Sequence, residues 1–459
     1  MRCELLPPPT ELHGPAGQWP TMTIAELLQM GLVKAHKDGN HGSLYPRVED
    51  FGSEGVPFLT AKLLSDGRVD VGSAPRLANE KADKLRLGFV HTGDVLLSHN
   101  ATIGRVAIVP AFTGRLLIGT SLTYFRLDEK RLLPQYLAAY FNGQDFQNQL
   151  KAVMSHTTRN QVPITAQRLL RVVVPPMEVQ QSIASTLGLF DTRIDLLRQT
   201  NATLESIAQA LFKSWFIDFD PVRAKAEGRE PDGMDAATAA LFPAEFEESE
   251  LGLIPKGWSV GILGDMALLA KGSVNPMEAP STLFEHYSLP AFDAGKVPIV
   301  EEGDAIRSNK TRVPKGAVLQ SKLNPHIPRV WLVGEVGDHA VCSTEFVPWV
   351  AREGASPELI YCALCSPAFG AQVQTLVTGT SNSHQRVKPD QVASLNIVVA
   401  PSAIARAFTG VVRPMFGKVA ANRLLSRRLV DLRDTLLPRL ISGKLRLPEV
   451  DEKAENVLP

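Results

Sequence analysis

Residues 177–216 read MEVQQSIASTLGLFDTRIDLLRQTNATLESIAQALFKSWF, and apolar side chains recur along them at alternating steps of four and three. The positions of this stripe are Ile183, Leu187, Phe190, Ile194, Leu197, Asn201, Leu204, Ala208, Leu211 and Trp215. A stripe sustained over almost five heptads, with no proline before Pro221, is typical of a long coiled-coil helix. The alternative is an ordinary helix buried in a larger core. The narrow stripe favours the coiled coil, because it leaves most of the helix surface polar.

One position of the stripe is polar. Asn201 suits a residue that fixes the register of two packed helices. At about 1.5 Å per residue, the 40 residues reach roughly 60 Å, which is long enough to hold two folded units apart.

The chain also supplies a partner for this helix, in residues 401–447. Its predicted seam is Ile404, Phe408, Met415, Val419, Leu429, Leu436 and Leu440, and a competing register uses Val411, Val412, Leu425 and Leu432. We expect Pro414 to kink or delay the helix. The simplest arrangement pairs the two helices with each other, antiparallel, within one chain.

Length and composition set broad limits. A chain of 459 residues is too long for one domain. It has no apolar run long enough to span a membrane, and its start lacks a signal-peptide run, so we expect a cytoplasmic protein. Cys362 and Cys365 form a C-x-x-C without a second ligand pair, which predicts buried thiols and no metal site, since structural zinc takes four ligands.

Charge is distributed unevenly although the formal net charge is zero. Residues 20–175 carry 18 Lys and Arg against 13 Asp and Glu, and residues 401–447 carry 10 against 2. Residues 221–255 carry 3 against 8. The basic excess in the first segment and the last helix is compatible with contacts to phosphates.

The two halves of the chain repeat the same landmarks in the same order, which indicates two copies of one unit. Trp19 recurs as Trp258, and the two helices opened by Pro134 and Pro357 correspond. The other matching pairs are Gly93–Leu96 with Gly316–Leu319, Arg105-Val106 with Arg329-Val330, and Leu170–Pro176 with Leu395–Pro401.

We therefore predict an α+β fold with two repeated α/β domains, separated by two long antiparallel coiled-coil helices and related by a pseudo-twofold internal repeat. The predicted segments are a lead-in (1–19), a first domain (20–176), a first helix (177–220), an acidic linker (221–255), a second domain (256–400), a second helix (401–447) and an acidic tail (448–459). The linker is expected to be semi-ordered, with a short helix at Asp235–Leu241.

Catalytic motifs are missing from the sequence. It contains no phosphate-binding G-x-x-x-x-G-K-[ST] loop, no G-x-G-x-x-G, no H-E-x-x-H and no G-x-S-x-G. Asn275-Pro276-Met277 and Asp220-Pro221-Val222 are not the tetrapeptide of adenine methyltransferases. We predict no catalytic residue.

Polar loop sequence stands instead at matching places in both halves. Asn, Gln and Arg side chains can read base edges, and Ser, Thr and Lys can hold phosphates. The alternative is that these residues only cap turns. The predicted DNA-binding residues are His36, Lys37, Asn40, His41, Ser98, His99, Asn100, His156, Thr157, Thr158, Arg159, Asn160, Gln161, Lys310, Lys322, Asn324, His326, Asn382, Ser383, His384, Gln385 and Arg386.

Several motifs, in their order and spacing, resemble a known family. They are Asp38–Gly42, Gly55–Leu59, Pro175–Gln180, Leu211–Pro221, Leu251–Trp258 and Leu436–Leu445. Over nearly the whole chain the sequence resembles the specificity subunit of Type I restriction-modification enzymes. One departure is that the second helix opens with Ala400-Pro401-Ser402-Ala403-Ile404 and lacks the usual Glu-Gln pair, so its docking surface is expected to be less regular.

The resemblance implies a non-catalytic subunit whose two target-recognition domains each read half of a bipartite site in double-stranded DNA. It implies that the helices set the spacer and dock two modification subunits, which would bind S-adenosylmethionine, and that motor-nuclease restriction subunits complete the enzyme. No cofactor is expected in this chain. The alternatives are a coiled-coil assembly scaffold whose globular domains bind protein, and a single-chain enzyme with an unrecognised site.

Overall fold

The computed structural model describes residues 19–42, 45–65, 67–154, 161–377, 385–443 and 445. The chain divides into two units, of which the first comprises Met1–Arg193 and Leu429–Pro459 and the second Ile194–Arg428. Both long helices, α6 (Met177–Phe216) and α14 (Ser402–Ile441), pass through this division. Each unit therefore holds one globular domain and a segment of each long helix.

The first unit has short helices and strands. Its helices are α1 (Ile24–Gln29), α2 (Asn79–Ala82), α3 (Pro134–Asn142), α4 (Gln144–Met154) and α5 (Ile164–Gln167). Its strands are β1 (Thr21–Thr23), β2 (Val33–Asp38), β3 (Phe51–Gly52), β4 (Val56–Leu59), β5 (Leu64–Ser65), β6 (Arg68–Val69), β7 (Arg76–Leu77), β8 (Val95–Ser98), β9 (Val106–Ile108), β10 (Leu117–Ile118), β11 (Leu122–Leu127) and β12 (Arg171–Val173).

The second unit is built from similar elements. Its helices are α7 (Asp220–Ala226), α8 (Ala236–Ala240), α9 (Leu263–Met266), α10 (Leu289–Asp293), α11 (Pro357–Cys365), α12 (Pro367–Thr375) and α13 (Pro389–Ala393). Its strands are β13 (Phe246–Ser249), β14 (Gly252–Pro255), β15 (Ser259–Ile262), β16 (Ala267–Leu269), β17 (Ser273–Val274), β18 (Leu283–Tyr287), β19 (Ile299–Glu302), β20 (Lys310–Arg312), β21 (Val318–Ser321), β22 (Val330–Leu332), β23 (Ala340–Cys342), β24 (Phe346–Ala351) and β25 (Asn396–Val399).

One antiparallel sheet has the same strand order in both domains, as the repeat in the sequence predicts. The order is β2-β11-β8-β9 in the first domain and β16-β24-β21-β22 in the second. The pairs β1–β12 and β15–β25 also correspond. The mixed α/β fold class is thus confirmed.

The second sheet of each domain differs between the copies. It has four strands in the order β10-β4-β7-β3 in the first domain, and five in the order β17-β20-β23-β18-β19 in the second. The central strands β8 and β21 of the shared sheet are buried at all four residues. Burial at every residue means that both faces of these strands are covered.

The two long helices are antiparallel within the second unit. Phe212 of α6 packs against Phe408, and Asn201 accepts a 2.9 Å hydrogen bond from Asn422, so moving back along α6 means moving forward along α14. In the first unit, Arg433 of α14 donates to Asp191 of α6 at 2.7 Å. The polar seam residue Asn201 therefore has a polar partner on the facing helix.

Burial follows the predicted stripe of α6 closely. Seven stripe residues are buried and three, Asn201, Leu204 and Leu211, are half-buried. In α14 the first predicted register fits better than the competing one. All of its residues are buried except the half-buried Met415, whereas only Val412 of the competing set is buried. Pro414 lies inside α14 and does not delay its start.

Gln180, in the first turn of α6, joins that helix to the first domain. Its amide accepts from Leu133 N at 3.0 Å and donates to the carbonyls of Arg131 and Pro175. The fourth residue of α14 is Ala405, which cannot do this. The second domain shares a hydrophobic core with α14, and an Arg413–Glu358 ion pair at 2.8 Å and a hydrogen bond between Ser356 and Thr409 add to this packing.

The acidic segment 221–255 is more ordered than predicted. It contains α7, α8 at the predicted short-helix position, and the β13–β14 hairpin. Phe242 is fully buried against Trp215, and Lys225 donates to the carbonyl of Ala239. A few aromatic contacts are enough to fold the segment despite its charge. Among the described residues, no helix is long and apolar enough to cross a membrane.

Two adjacent leucines on α6 test the buried stripe. Leu197 is 6% exposed and Leu196 is 52% exposed. Leu197→Asp should lower the free energy of unfolding by about 4 kcal/mol, because it buries a carboxyl group and removes apolar contacts. Leu196→Asp should change it by less than ~0.5 kcal/mol. Thermal and denaturant unfolding of the two variants would measure this, and equal effects would contradict the assigned stripe.

Candidate nucleic-acid interface

In the first domain, the loop that follows β8 lies beside the segment that leads into α5. An isolated antiparallel bridge pairs Asn100 with Gln161. Val162 N donates to the carbonyl of His99 at 2.9 Å, and His99 N donates to the carbonyl of Ser121 at 3.0 Å. The backbone thus joins the loop after β8 to Gln161 and Val162 at the end of the sheet.

The second domain repeats this arrangement. A bridge pairs Leu323 with Arg386, and Val387 N donates to the carbonyl of Lys322 at 3.1 Å. Lys322 N donates to the carbonyl of Glu345 at 2.9 Å. The same backbone pattern therefore places two loop segments together at the same edge of both domains.

The loops also share an unusual backbone conformation. Ala101 has φ +62° and Asn324, at the corresponding position, has φ +51°. Asparagine tolerates this left-handed region, whereas alanine is strained there by roughly 1 kcal/mol. Retention of the conformation in both copies, despite the different residues, indicates that the loop shape itself is required.

Ser98 and Ser321 shape these loops from inside the domains. Ser98 is fully buried, and its Oγ accepts from Arg105 N at 2.8 Å. Ser321 is also buried, and its Oγ donates to the carbonyl of Leu323 at 3.0 Å. A direct DNA contact was predicted for Ser98, but this side chain faces the protein interior and supports the turn.

A buried polar network lies beneath the first domain's loops. His36 Nε2 is 3.0 Å from Gln167 Oε1, which also accepts from Thr123 Oγ1 at 2.9 Å. Gln167 Nε2 donates to the carbonyl of Val162 at 3.0 Å. The His36 ring stacks on Phe125 at 4.3 Å between centroids. A DNA contact was predicted for His36, but its ring is enclosed by these groups and does not reach the surface in this structure.

His99 joins the same network and is 1% exposed. Its Nδ1 lies 3.2 Å from the carbonyl of Val162, so Nδ1 carries the proton. Burial lowers the pKa of His99, and burial lowers the pKa of His36 to about 4. Both rings lie inside the domain, where burial favours their neutral forms, and the predicted DNA contact of His99 is not accessible in this structure.

The second domain lacks this network. In the first domain, strand pairing sets His36 opposite Phe125. In the second domain, the equivalent strands set Leu269 opposite Trp349, so Leu269 takes the position of His36. The positions of Thr123 and Gln167 correspond to Val347 and Val392. Apolar packing replaces hydrogen bonds at all three positions, so the loops of the two domains rest on chemically different cores.

Two further predicted contacts are buried. Asn40 donates to the carbonyl of Leu87 at 2.6 Å and accepts from Leu87 N at 3.3 Å, so its amide is engaged by backbone. Lys310 is buried, donates to Ser308 O and Oγ, and has its pKa lowered by burial. Neither side chain reaches the surface, because each satisfies polar groups inside its domain.

The remaining predicted residues reach solvent to different degrees. Lys37, His41, His326 and Arg386 are exposed, and Asn100, Gln161, Lys322, Asn324 and Gln385 are half-buried. His41 Nε2 lies 2.7 Å from Asp38. The residues His156, Thr157, Thr158, Arg159, Asn160, Asn382, Ser383 and His384 lie outside the described residues.

Arg386 is held in a fixed plane. Its Nε and Nη2 donate to the two carboxylate oxygens of Glu345 at 3.2 and 3.0 Å. The ion pair raises the pKa of Arg386. This bidentate pair fixes the orientation of the guanidinium at the surface of the second domain.

Sequence reasoning missed three residues that build this region: Gln167, Glu345 and Thr123. Each stands in an ordinary apolar or turn context that gives no local signal of a role. Among the described residues, no group of three or more His, Cys, Asp and Glu side chains could hold a metal ion. Cys362 is buried, and burial raises the pKa of Cys365 to about 12, as inert core thiols require.

Residues 35–206 match the family model described as the Type I restriction modification DNA specificity domain. The HindI Type I restriction enzyme specificity subunit of Haemophilus influenzae is 25% identical over 408 residues, which cover 78% of this chain and 87% of that protein. The MjaIX specificity subunit of Methanocaldococcus jannaschii is 25% identical over 421 residues, covering 88% and 90%.

A crystal structure of the S subunit of a Type-I restriction-modification system from M. genitalium aligns with 94% of this chain and 98% of that chain. Its identity is 14% and its TM-score is 0.49.

The network around His36 predicts that acid destabilises the first domain. As the pH falls below 6.5 the unfolded histidine takes up a proton, whereas the folded one does so only near pH 4, so stability is lost between these values. The loss from His36 should be on the order of 3 kcal/mol. His99, whose pKa is also lowered, acts in the same direction.

His36→Leu, which copies Leu269 of the second domain, should flatten this dependence. Thermal unfolding of wild type and variant from pH 7 to pH 4 would measure it. An equally steep loss of stability in both proteins would show that His36 is not the responsible group.

Proposed function

We propose that this chain is a specificity subunit of a Type I restriction-modification enzyme, and that each of its two domains reads one half of a bipartite DNA site; the family match and the similar specificity subunits support this. The relatives it matches are specificity subunits and not methyltransferases. The chain is accordingly the non-catalytic, DNA-recognising subunit of such a system.

One observation carries the proposal: the same pair of loop segments is joined by the same backbone bridge in both domains. A single surface loop of polar residues could merely cap a turn. Two equivalent loop pairs, each with a left-handed residue at the same place, support two equivalent reading surfaces. Because the residues at matching positions differ, the two surfaces would read different bases.

The residues that reach solvent divide into two proposed roles. Asn100 and Gln161 of the first domain, and Arg386 of the second, read base edges, with the amides suited to adenine and the guanidinium to guanine. Lys37, His41, Lys322 and His326 contact phosphates and position the duplex. The buried residues His36, Asn40, Ser98, His99 and Lys310 hold the loops in shape.

The outer faces of the long helices are proposed to dock two modification subunits. Leu189 in the first unit and Leu196, Ile207 and Leu424 in the second are exposed apolar residues on these helices. S-adenosylmethionine and the methyl transfer belong to those partners, and restriction motor-nuclease subunits join the assembled complex.

Salt dependence of DNA binding distinguishes this function from a protein-binding scaffold. The full chain, assembled with its modification subunits, is titrated with duplex DNA in a gel-shift assay at 50 to 200 mM salt. The association constant should fall steeply, with a log–log slope of about −0.9 per phosphate contacted. Binding that is absent or insensitive to salt would favour the scaffold. Methyl transfer by this chain alone would contradict the non-catalytic assignment.

The length of the long helices should set the spacer between the half-sites. Four residues are inserted into each helix, between Arg193 and Ile194 and between Arg428 and Leu429, where the helices pass from one unit into the other. The insertion adds about 6 Å and a rotation of about 40°. With roughly 3.4 Å per base pair, the spacer should lengthen by one or two pairs while the half-sites stay unchanged.

Mapping of methylated adenines in DNA exposed to the assembled complex measures the spacer. The control inserts four residues after Gly228, an exposed glycine of the connector, and should leave the spacer unchanged. An active helix-insertion variant with an unaltered spacer would show that the helices do not set the distance.

A further inference from the structure

The C-terminal end of the short helix α10 makes ionic contacts in two directions within the second unit. Asp293, its last residue, accepts from Arg329 Nε at 2.8 Å and Nη2 at 3.0 Å. Lys296, three residues later, lies 3.6 Å from Glu205 of α6. One short turn of chain therefore connects Arg329 with a long helix.

Arg329 closes the loop that carries Lys322 and Asn324. Its carbonyl accepts from Ser321 N at 2.9 Å, so the first and last residues of the loop are joined by backbone. In the ion pair with Asp293, only 16% of the Arg329 side chain is exposed to solvent. The position of this loop thus depends on where Asp293 is held.

Lys296 is held in a conformation that lysine rarely adopts. Its φ is +58°, in the region usually left to glycine or asparagine, and its N–H bonds to the carbonyls of Ala291 and Phe292. The ammonium lies 5.1 Å from the ring centroid of Phe292 and 3.5 Å from the Tyr361 hydroxyl. A strained backbone conformation persists only where surrounding contacts stabilise it, and here those contacts place the Lys296 ammonium beside Glu205.

Glu205 is the point where three elements of the second unit meet. Besides Lys296, it accepts from Arg423 of α14 and from the hydroxyl of Tyr361 in α11, the latter at 3.3 Å. The side chains of Glu205, Lys296 and Arg423 are 24%, 21% and 16% exposed, so their attraction is screened less than that of surface pairs.

The first domain is built differently at the corresponding place. Arg105, which corresponds to Arg329, donates to the carbonyls of Ala61 and Leu64, both inside the first domain. Its loop is therefore anchored to its own domain, whereas the second domain's loop is connected through α10 to both long helices.

We infer that α10 is a bracket that fixes the reading loop of the second domain on the long helices, which makes Asp293 and Lys296 positioning residues for the second half-site alone. The inference rests on the proposed function. It predicts that removing either the Asp293–Arg329 or the Lys296–Glu205 ion pair lowers base discrimination in the second half-site and leaves discrimination in the first unchanged.

The test uses the full chain assembled with its modification subunits. The half-sites are first assigned by replacing residues 20–176 with the corresponding domain of a relative, which changes only the half-site of the first domain. Discrimination is the ratio of dissociation constants for duplexes with one altered base and for the correct site, about tenfold or more per base in the wild type. Lys296→Met keeps the side-chain length, removes its charge and leaves Glu205 paired with Arg423.

Lys296→Met and Asp293→Asn should each reduce discrimination in the second half-site by about fivefold, with no change in the first. The double variant should be no worse than the more severe single variant, because both cut the same bracket. The matched control, Lys315→Met, breaks an exposed 2.8 Å pair with Glu335 in the same unit and should change neither half-site.

Equal loss in both half-sites, or no loss in either, overturns the inference. If Lys296→Met fails to fold, Asp293→Asn, which alters a partly exposed carboxylate, carries the test. A wild-type complex with no preference for a bipartite site refutes the proposed function, which separates that failure from a failure of the bracket.

Discussion

Each of the two 40-residue helices carries a narrow apolar stripe, and in water that stripe is stable only when another surface covers it. In the second unit the coverage is mutual. Phe408 of α14 is fully buried among Phe212, Trp215 and Phe216 of α6, and Asn201 meets Asn422. An amide in an apolar seam is costly without a partner, so this pair favours one register over its neighbours.

In the second unit the long helices and the globular domain share one hydrophobic core, which includes Trp215, Phe408 and Trp258, and in both units polar contacts join a helix to its domain. Gln180 attaches α6 to the first domain with hydrogen bonds to backbone, and Glu205 attaches the second domain with a cluster of charges. The two copies of the repeat therefore keep the sheet and the loop geometry while using unrelated chemistry for attachment. The two copies can differ in their attachment because backbone hydrogen bonds set the order of the strands, and these bonds tolerate different side chains.

In the candidate site, the sequence predicted the positions of the loops but not which polar side chains are buried. The loops at Ser98–Thr102 and Ser321–His326 were found from the sequence, because polar residues directly follow apolar strands in both halves. His36, Asn40, His99 and Lys310 were predicted to contact DNA, and the structure encloses them. The sequence shows which polar group a residue carries, but not whether its side chain points to solvent or to the interior. Nothing in the sequence distinguishes Gln167 from a surface glutamine, because its partners Thr123 and His36 are brought to it only by the fold.

By itself, the sequence determined the long helices, the internal repeat and the family, because heptad spacing and recurring landmarks are properties of order along the chain. The tertiary structure alone decided which side chains reach the surface and how the loops are anchored. Lys296 and Glu205 stand far apart in the sequence, as do Arg386 and Glu345. Such pairs arise only when the sheet and helices bring distant segments together, and no local pattern of residues encodes them.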